Sequence, residues 1–232
     1  MANGAMADPS SRPGFELPST SVDRVGLLGG SFNPAHEGHR YISLEGLKRL
    51  GLKEVWWLVS PQNPLKSADD MAPLDVRLQQ ARHAARSRRI RVTNVEDQIG
   101  TRFSVDTISA LKRRFSKTNF VWLMGADNLL QMPKWRDWKT IFESVPIAVF
   151  TRSSYSRKAL TGAAAKHFAD CRIRESAGVE LVEYSPPAWV FLHTKPHPVS
   201  ATRIRKSKTL EERYHARSNS DGNDNKLTRG RS

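Results

Sequence analysis

The chain has 232 residues, a formal net charge of +14 at pH 7 and a single cysteine. Hydrophobic residues make up 38% of the sequence and occur in clustered runs, which favours a folded domain over a disordered chain. One cysteine excludes an internal disulfide framework and argues against a cysteine-based zinc site, and no apolar run approaches the roughly 18 residues of a membrane span. We therefore expect a cytoplasmic protein.

The two ends of the chain differ in composition from its centre. Residues 1–21 are rich in Pro, Ser, Ala and Gly and lack the apolar stretch of a secretory signal, and residues 207–232 are polar. We expect a flexible leader at 1–21 and a disordered tail at 207–232. The folded domain is expected to span residues 22–206.

Between the ends, short apolar runs alternate with helical patterns. This alternation predicts an α/β fold: a Rossmann-like, doubly wound parallel sheet with helices on both faces. Ligands of such sheets bind beyond the carboxyl ends of the strands, at the point where the strand order reverses. In chain order, we predict strand 22–28, helix 38–50, strand 54–60, helix 73–86, strand 90–95, a helix capped by Ser104 or Asp106 and ending at 115, strands 120–124 and 147–150, helix 158–168, strand 189–193 and a helix from 200.

The turn after the first predicted strand carries the strongest chemical pattern, GGSFNPAHEGH from Gly29 to His39. Glycines directly after a strand let the backbone approach a phosphate closely, and Gly38 removes a side chain where a base can lie. The spacing of His36 and His39 places both imidazoles on one face of a helix, beside its positive N-terminus. Two imidazoles beside amide donors suit a phosphorus centre that gains negative charge during reaction.

Two other interpretations of these features remain open. His36 and His39 could bind zinc, but their spacing differs from that of the HExxH motif and no third ligand is evident. A basic cluster could contact nucleic acid, but it lacks interleaved aromatic residues that stack on bases. Its members are Arg82, Arg86, Arg88, Arg89 and Arg91. A solvated helix face is the simpler explanation of that cluster.

The segment from Gly29 to His39 resembles the HxGH motif of the nucleotidyltransferase superfamily. Its fuller form, GGSFNPxHxGH, resembles the bacterial nicotinate-nucleotide adenylyltransferases. The resemblance covers about residues 22–206 and recurs in order along the chain. The further matches are Thr101 with Ser104 to Asp106, Asp127 within MGADN, Trp135 and Trp138 within PKWRDW, and Ser200 to Arg205 within SATRIR.

The resemblance implies an enzyme that transfers the adenylyl group of ATP to nicotinate mononucleotide, giving deamido-NAD and pyrophosphate. It also implies Mg²⁺ bound mainly through the ATP phosphates, with no protein metal ligand. Nicotinamide mononucleotide or phosphopantetheine remains open as the acceptor. A plain nucleic-acid-binding protein is a further alternative, suggested by the charge of +14, but it leaves the Gly-rich turn and the histidine pair unexplained. The oligomeric state is left open.

The resemblance also assigns roles to individual residues. The hydroxyls and guanidinium of the late SATRIR segment suit the β- and γ-phosphates of ATP, although an ordinary helix cap with a surface arginine would have the same sequence. The catalytic residues implied are His36, His39 and Arg205. The ATP-binding residues implied are Gly29, Gly30, Ser31, Phe32, Gly38, Asp127, Ser200 and Thr202. The acceptor-binding residues implied are Asn33, Lys66, Thr101 and Trp135.

Overall fold

Parallel strands form the centre of the molecule. The computed structural model describes residues 22–61, 71–151 and 155–195, and statements about structure refer to these. The strands in this part of the chain are β1 (Arg24–Gly30), β2 (Glu54–Val59), β3 (Ile90–Thr93), β4 (Asn119–Gly125), β5 (Ile147–Phe150), β6 (Arg172–Ile173) and β7 (Trp189–Leu192). They lie in the order β3–β2–β1–β4–β5–β7–β6, and every pairing is parallel.

Helices cover both faces of this sheet. One face packs against α1 (Glu37–Arg49), α2 (Leu74–Ala85) and the 3₁₀ helix Glu175–Glu183. Residues of six further helices belong to the apolar cluster on the other face. These helices are α3 (Val95–Gln98), α4 (Ser104–Arg114), α5 (Ala126–Gln131), α6 (Trp138–Ser144), α7 (Ser156–Leu160) and α8 (Ala163–His167), and two short 3₁₀ helices occupy Met132–Lys134 and Ala169–Cys171.

The central strands explain why the sheet must be covered on both sides. All six residues of β2 are buried, and successive side chains of a strand point to opposite faces. Val55 and Trp57 belong to the cluster under α1 and α2, whereas Trp56 and Leu58 belong to the cluster under α4 and α6. Continuous apolar runs are typical of parallel strands buried on both faces. The predicted doubly wound parallel sheet is therefore confirmed.

Several local predictions were wrong. The N-cap of α4 is Phe103, whose extended backbone precedes the helix without a side-chain cap, and neither Ser104 nor Asp106 takes that position. The predicted helix 158–168 is divided because Gly162 adopts an extended conformation and starts α8 anew. The short elements α3, α5, α6 and β6 and the 3₁₀ helix after β6 were not predicted.

The strand order reverses between β1 and β4. The chain runs from β1 outward through β2 to β3 and then returns to place β4 on the other side of β1. The carboxyl ends of β1 and β4 consequently lie side by side, with Leu28 opposite Leu123. Among the described residues, no helix combines the length and the hydropathy needed to cross a membrane.

The last two residues of β1 offer a matched test of this packing. A Cβ added to Gly29 would lie 2.7 Å from Cη2 of Trp122, whereas the nearest atom to a Cβ on Gly30 lies 3.6 Å away, in Phe32. We expect Gly29→Ala to lower the free energy of unfolding by roughly 1–3 kcal/mol, since a rigid indole cannot yield as a flexible chain can. Gly30→Ala should be close to neutral. Urea denaturation of both variants checks the difference, and equal midpoints would contradict the packing described.

Candidate active site

The candidate site lies at the carboxyl edge of β1 and β4. The turn at residues 31–36 follows β1 and leads into α1, while β4 leads directly into α5. Asp127 lies in the first turn of α5 and is half-buried. The N-cap of α5 is Gly125, so Asp127 follows the cap position. The strand order reverses at this point, and this is where the doubly wound fold predicted from the sequence would bind a ligand.

The turn after β1 is fixed by an unusual backbone and a buried ring. Phe32 has a φ of 45°, in the left-handed region that few bulky residues adopt, and the Asn33–Pro34 peptide bond is cis. The Phe32 ring is 1% exposed and stacks on Trp57 at a centroid distance of 5.0 Å. It also contacts the imidazole of His39 at 4.6 Å. The buried ring of Phe32 therefore supports the imidazole of His39.

His36 and His39 cap the start of α1 reciprocally. The Nδ1 atom of His36 accepts a hydrogen bond from the Gly38 amide at 3.0 Å, and Nδ1 of His39 accepts one from the His36 amide at 3.2 Å. The two rings stack at a centroid distance of 3.9 Å. The predicted placement on one helix face beside the N-terminus is thus what the structure has.

This capping determines where each imidazole carries its proton. A nitrogen that accepts a hydrogen bond from an amide has no proton of its own, so Nδ1 of both rings is deprotonated while the caps are formed. Each neutral ring must then carry its proton at Nε2. His36 and His39 are consequently N–H donors of fixed tautomer, and they stand beside the positive end of a 13-residue helix. Such an arrangement suits an anionic ligand.

A buried arginine holds the turn in place. The guanidinium of Arg77, in α2, donates hydrogen bonds to the carbonyls of Ser31, Ser60, Pro61 and Ala72 at 2.7–2.8 Å. The side chain is 1% exposed, and burial lowers the pKa of Arg77 below its ordinary value. The ends of β1 and β2 are thereby tied to the start of α2. The role of Arg77 could not be predicted from the sequence, since an arginine within an amphipathic helix is normally solvated.

Trp135, which the sequence predicts to bind the acceptor, packs against the cluster on the other face of the sheet. Trp135 is half-buried and meets Trp122 edge to face, with ring centroids 6.3 Å apart. Arg136 lies 4.7 Å from the centre of the Phe103 ring and 3.8 Å from the carboxylate of Asp106. Arg136 therefore links the segment that contains Trp135 to the start of α4, which follows the loop that contains Thr101.

Thr101 lies in the loop between α3 and α4, defined here as residues 99–103. Its hydroxyl is 2.8 Å from that of Thr107, and its amide donates to the carbonyl of Glu96 at 2.9 Å. The predicted acceptor-binding hydroxyl is thus engaged inside the protein. Asn33 is similarly engaged, because its Oδ1 accepts from the Ala72 amide at 3.3 Å.

Glu96 is a buried carboxyl that the sequence did not single out. It is 5% exposed and forms side-chain hydrogen bonds with Ser60 and Thr107. Burial raises the pKa of Glu96 to about 7, and the two hydroxyl hydrogen bonds oppose this only partly. A buried carboxyl that titrates near neutrality often has a functional role.

The structure accounts for part of the basic cluster. Arg89 donates to the carbonyl of Lys53 at 2.9 Å, Arg91 forms an ion pair with Glu54 at 2.7 Å, and Arg86 pairs with Glu37 at 3.5 Å. Groups of three or more His, Cys, Asp or Glu residues arranged to hold a metal do not occur in the described ranges. The predicted site residues Lys66, Ser200, Thr202 and Arg205 lie outside those ranges.

The chain is similar in sequence to one family of nucleotide-transferring enzymes. The sequence profile of the cytidylyltransferase-like family matches residues 27–207. A probable nicotinate-nucleotide adenylyltransferase from Parvibaculum lavamentivorans is 50% identical over 182 residues, which cover 78% of this chain and 90% of the relative. Another, from Cereibacter sphaeroides, is 48% identical over 181 residues, with coverages of 78% and 95%.

A solved structure shares the fold. Plasmodium falciparum nicotinic acid mononucleotide adenylyltransferase complexed with NaAD superposes with a TM-score of 0.61 over 80% of this chain and 83% of that one. The two sequences are only 13% identical, so this likeness concerns the fold alone.

The raised pKa of Glu96 predicts a specific pH dependence of stability. The native state holds the Glu96 proton more tightly than the unfolded chain does, so the stability that this proton confers is present at low pH and is lost as the pH rises from about 4.5 to about 7. Glu96→Gln cannot titrate. We expect the unfolding free energy of the wild type, relative to this variant, to fall by about 2–3 kcal/mol over that interval. A difference that stays constant with pH would contradict the assignment.

Proposed function

Since the chain belongs to the cytidylyltransferase-like family and, within it, to the nicotinate-nucleotide adenylyltransferases, we propose that it transfers the adenylyl group of ATP to nicotinate mononucleotide. The products are deamido-NAD and pyrophosphate, and the reaction belongs to NAD biosynthesis. The arrangement of His36 and His39 carries this proposal: it gives two imidazole N–H donors at a helix N-terminus, beside the reversal point of a parallel sheet.

The reaction needs no covalent intermediate. An oxygen of the acceptor's 5′-phosphate attacks the α-phosphorus of ATP in line, and the bond from that phosphorus to the bridging oxygen of the β-phosphate breaks. Pyrophosphate leaves with the electron pair of that bond. Negative charge grows on the α-phosphate oxygens as this happens, and donors that are already oriented stabilise it without reorganising. His36 and His39 are oriented in this way because the start of α1 depends on them.

The two substrates approach the edge of the sheet from different sides. His36 and His39 stand on the side of α1, whereas Trp135 and the Thr101 loop stand on the side of α4 and α6. Gly29 and Gly30 form the edge between them and offer backbone without side chains. This arrangement supports ATP phosphates above the histidines and a pyridine ring near Trp135, with the reacting phosphate groups meeting at the glycines.

The remaining roles follow from chemistry and sequence. Asp127, at the carboxyl end of β4, suits the hydroxyl groups of a ribose, and Trp135 offers a flat apolar face to the nicotinate ring. The leaving pyrophosphate is assigned to Ser200, Thr202 and Arg205 and an acceptor contact to Lys66; for these residues the proposal rests on sequence alone. Mg²⁺ enters as part of the substrate MgATP, because the donors that α1 presents are N–H groups, which bind anions.

Pyrophosphate release by the purified protein tests the function. With MgATP present, nicotinate mononucleotide, nicotinamide mononucleotide and phosphopantetheine are compared as acceptors at equal concentration. We expect kcat/KM to be highest for nicotinate mononucleotide. Preference for another acceptor would retain the adenylyl transfer and overturn the assignments of Trp135 and Thr101. Absence of release with all three, together with salt-dependent binding to RNA, would overturn the function itself.

Two substitutions of His39 separate its chemistry from its capping role. The Oδ1 of asparagine takes about the position of Nδ1, so His39→Asn retains the acceptor for the His36 amide and removes the Nε2 donor. We expect this variant to keep its thermal stability while kcat falls about 10²–10³-fold. The longer side chain of glutamine places its amide near the position that Nε2 of His39 occupies. His39→Gln should therefore retain more turnover than His39→Asn and lose more thermal stability. Near-normal turnover of His39→Asn in a folded protein would rule out the donor role.

A further inference from the structure

The buried carboxyl of Glu96 is not used by the adenylyl transfer as described, yet it occupies a central position. Glu96 lies in α3, a single helical turn between the end of β3 and the Thr101 loop. Its burial is costly for an ionisable group unless its hydrogen bonds are satisfied. The partners that satisfy them come from two different parts of the site.

One set of contacts reaches the Thr101 loop. The Glu96 side chain is hydrogen-bonded to the Thr107 hydroxyl, which in turn is 2.8 Å from the hydroxyl of Thr101. The backbone carbonyl of Glu96 accepts the Thr101 amide at 2.9 Å. Thr107 Oγ1 also donates to the carbonyl of Phe103 at 3.2 Å. Glu96 and Thr107 therefore hold the loop at its middle, through Thr101, and at its C-terminal end, through Phe103.

The other contact reaches the turn after β1. The Glu96 side chain is hydrogen-bonded to the hydroxyl of Ser60, the residue that follows β2. The Ser60 amide donates to the carbonyl of Gly30 at 3.0 Å, and the Ser60 carbonyl accepts from Arg77 at 2.7 Å. Arg77 also holds the carbonyl of Ser31. Ser60 is thus fixed to the Gly-rich turn on one side and to Glu96 on the other.

We propose that Glu96 is a positioning residue that sets the Thr101 loop at a fixed distance from the Gly30–Ser31 turn, and so aligns the acceptor with ATP. This inference rests on the proposed function. Glu96 touches neither substrate. It acts by joining Ser60 to Thr107 across the edge of the sheet, so that the element beside the acceptor and the element beside the ATP phosphates move as one unit.

The hydroxyl protons around Glu96 explain why a carboxyl suits this position. Thr107 has one hydroxyl proton, and its bond to the Phe103 carbonyl uses that proton. A protonated Glu96 can donate to Thr107 Oγ1 and accept from the Ser60 hydroxyl. When Glu96 is ionised, Thr107 must turn its proton from the Phe103 carbonyl to the carboxylate, and both hydroxyl bonds then favour the ionised form. The pKa of about 7 makes that protonated form accessible near neutral pH. Glutamine has the same pattern, with an N–H₂ donor and a carbonyl acceptor, whereas alanine has neither.

Steady-state kinetics of Glu96→Ala and Glu96→Gln test the proposal. Each substrate is varied at saturating concentration of the other, with nicotinate mononucleotide as acceptor and MgATP as donor. We expect Glu96→Ala to lower kcat/KM for the acceptor about tenfold or more, mostly through KM, with the KM for MgATP changed less than about threefold. Glu96→Gln should restore most of the acceptor kcat/KM. An equal change in KM for both substrates in Glu96→Ala, or no change in either KM, would overturn the proposal.

Glu54→Gln is the matched control. Glu54 is also a buried glutamate, but it lies at the amino end of β2, where it pairs with Arg91 and accepts from the indole of Trp56. We expect Glu54→Gln to lower thermal stability and to leave the KM of both substrates unchanged. An acceptor-specific rise in KM in this variant would show that any buried defect has the same effect, and would overturn the assignment to Glu96.

Hydrogen exchange of the free protein provides a readout that does not depend on turnover. Because the Glu96 side chain holds Thr107, whose hydroxyl contacts the Thr101 hydroxyl and the carbonyl of Phe103, we expect Glu96→Ala to accelerate exchange in peptides covering residues 99–107, with strands β1 and β4 still protected. Unchanged exchange there would overturn the positioning role. If Glu96→Ala accelerates exchange as expected but the wild type releases no pyrophosphate with any acceptor, the proposed function is overturned. The role of Glu96 in ordering the loop then still stands.

Discussion

Parallel pairing of β1 with both β2 and β4 is the constraint from which the candidate site follows. Because the strands run in one direction, the turn after β1, the end of β2 and the start of α5 emerge at a single edge. The backbone groups there have no ladder partners and must be satisfied by other means. Side chains supply the missing partners. Arg77 donates to the carbonyls, and the Nδ1 atoms of the two histidines accept from the amides of His36 and Gly38 at the start of α1.

The long apolar elements of this fold were predictable from sequence, whereas the short ones were not. The strands around Trp56 and Trp122 are continuous apolar runs, and β1 is followed by a motif of recognisable chemistry. By contrast, α3, α5 and α6 have four, six and seven residues, too few for a periodic pattern to emerge, and they form because tertiary packing holds them. The extended backbone of Phe103 likewise follows from packing, so that the side chains of Ser104 and Asp106 gave a misleading cap signal.

The candidate site was predicted only in part, for a similar reason. The histidines stand in a local motif, so their neighbours in sequence are also their neighbours in space. Arg77 acts through Ser60 and Ser31, which lie 17 and 46 positions away, and Glu96 acts through Ser60, the residue that follows β2. In the sequence they are ordinary charged residues of helices. Their burial appears only once the strand order is known, and no local signal reports it.

The reciprocal cap of α1 has a consequence for how such a protein can change over evolutionary time. The same two imidazoles begin a helix and, in the proposed reaction, face the reacting phosphate, so most substitutions that abolish catalysis also leave backbone amides without acceptors. Drift toward an inactive relative would therefore have to pass through the few residue types that cap helices well, or else lose the fold. Purifying selection on stability alone would then restrict positions 36 and 39 to residues whose side chains cap a helix, even in a lineage where the reaction had become dispensable.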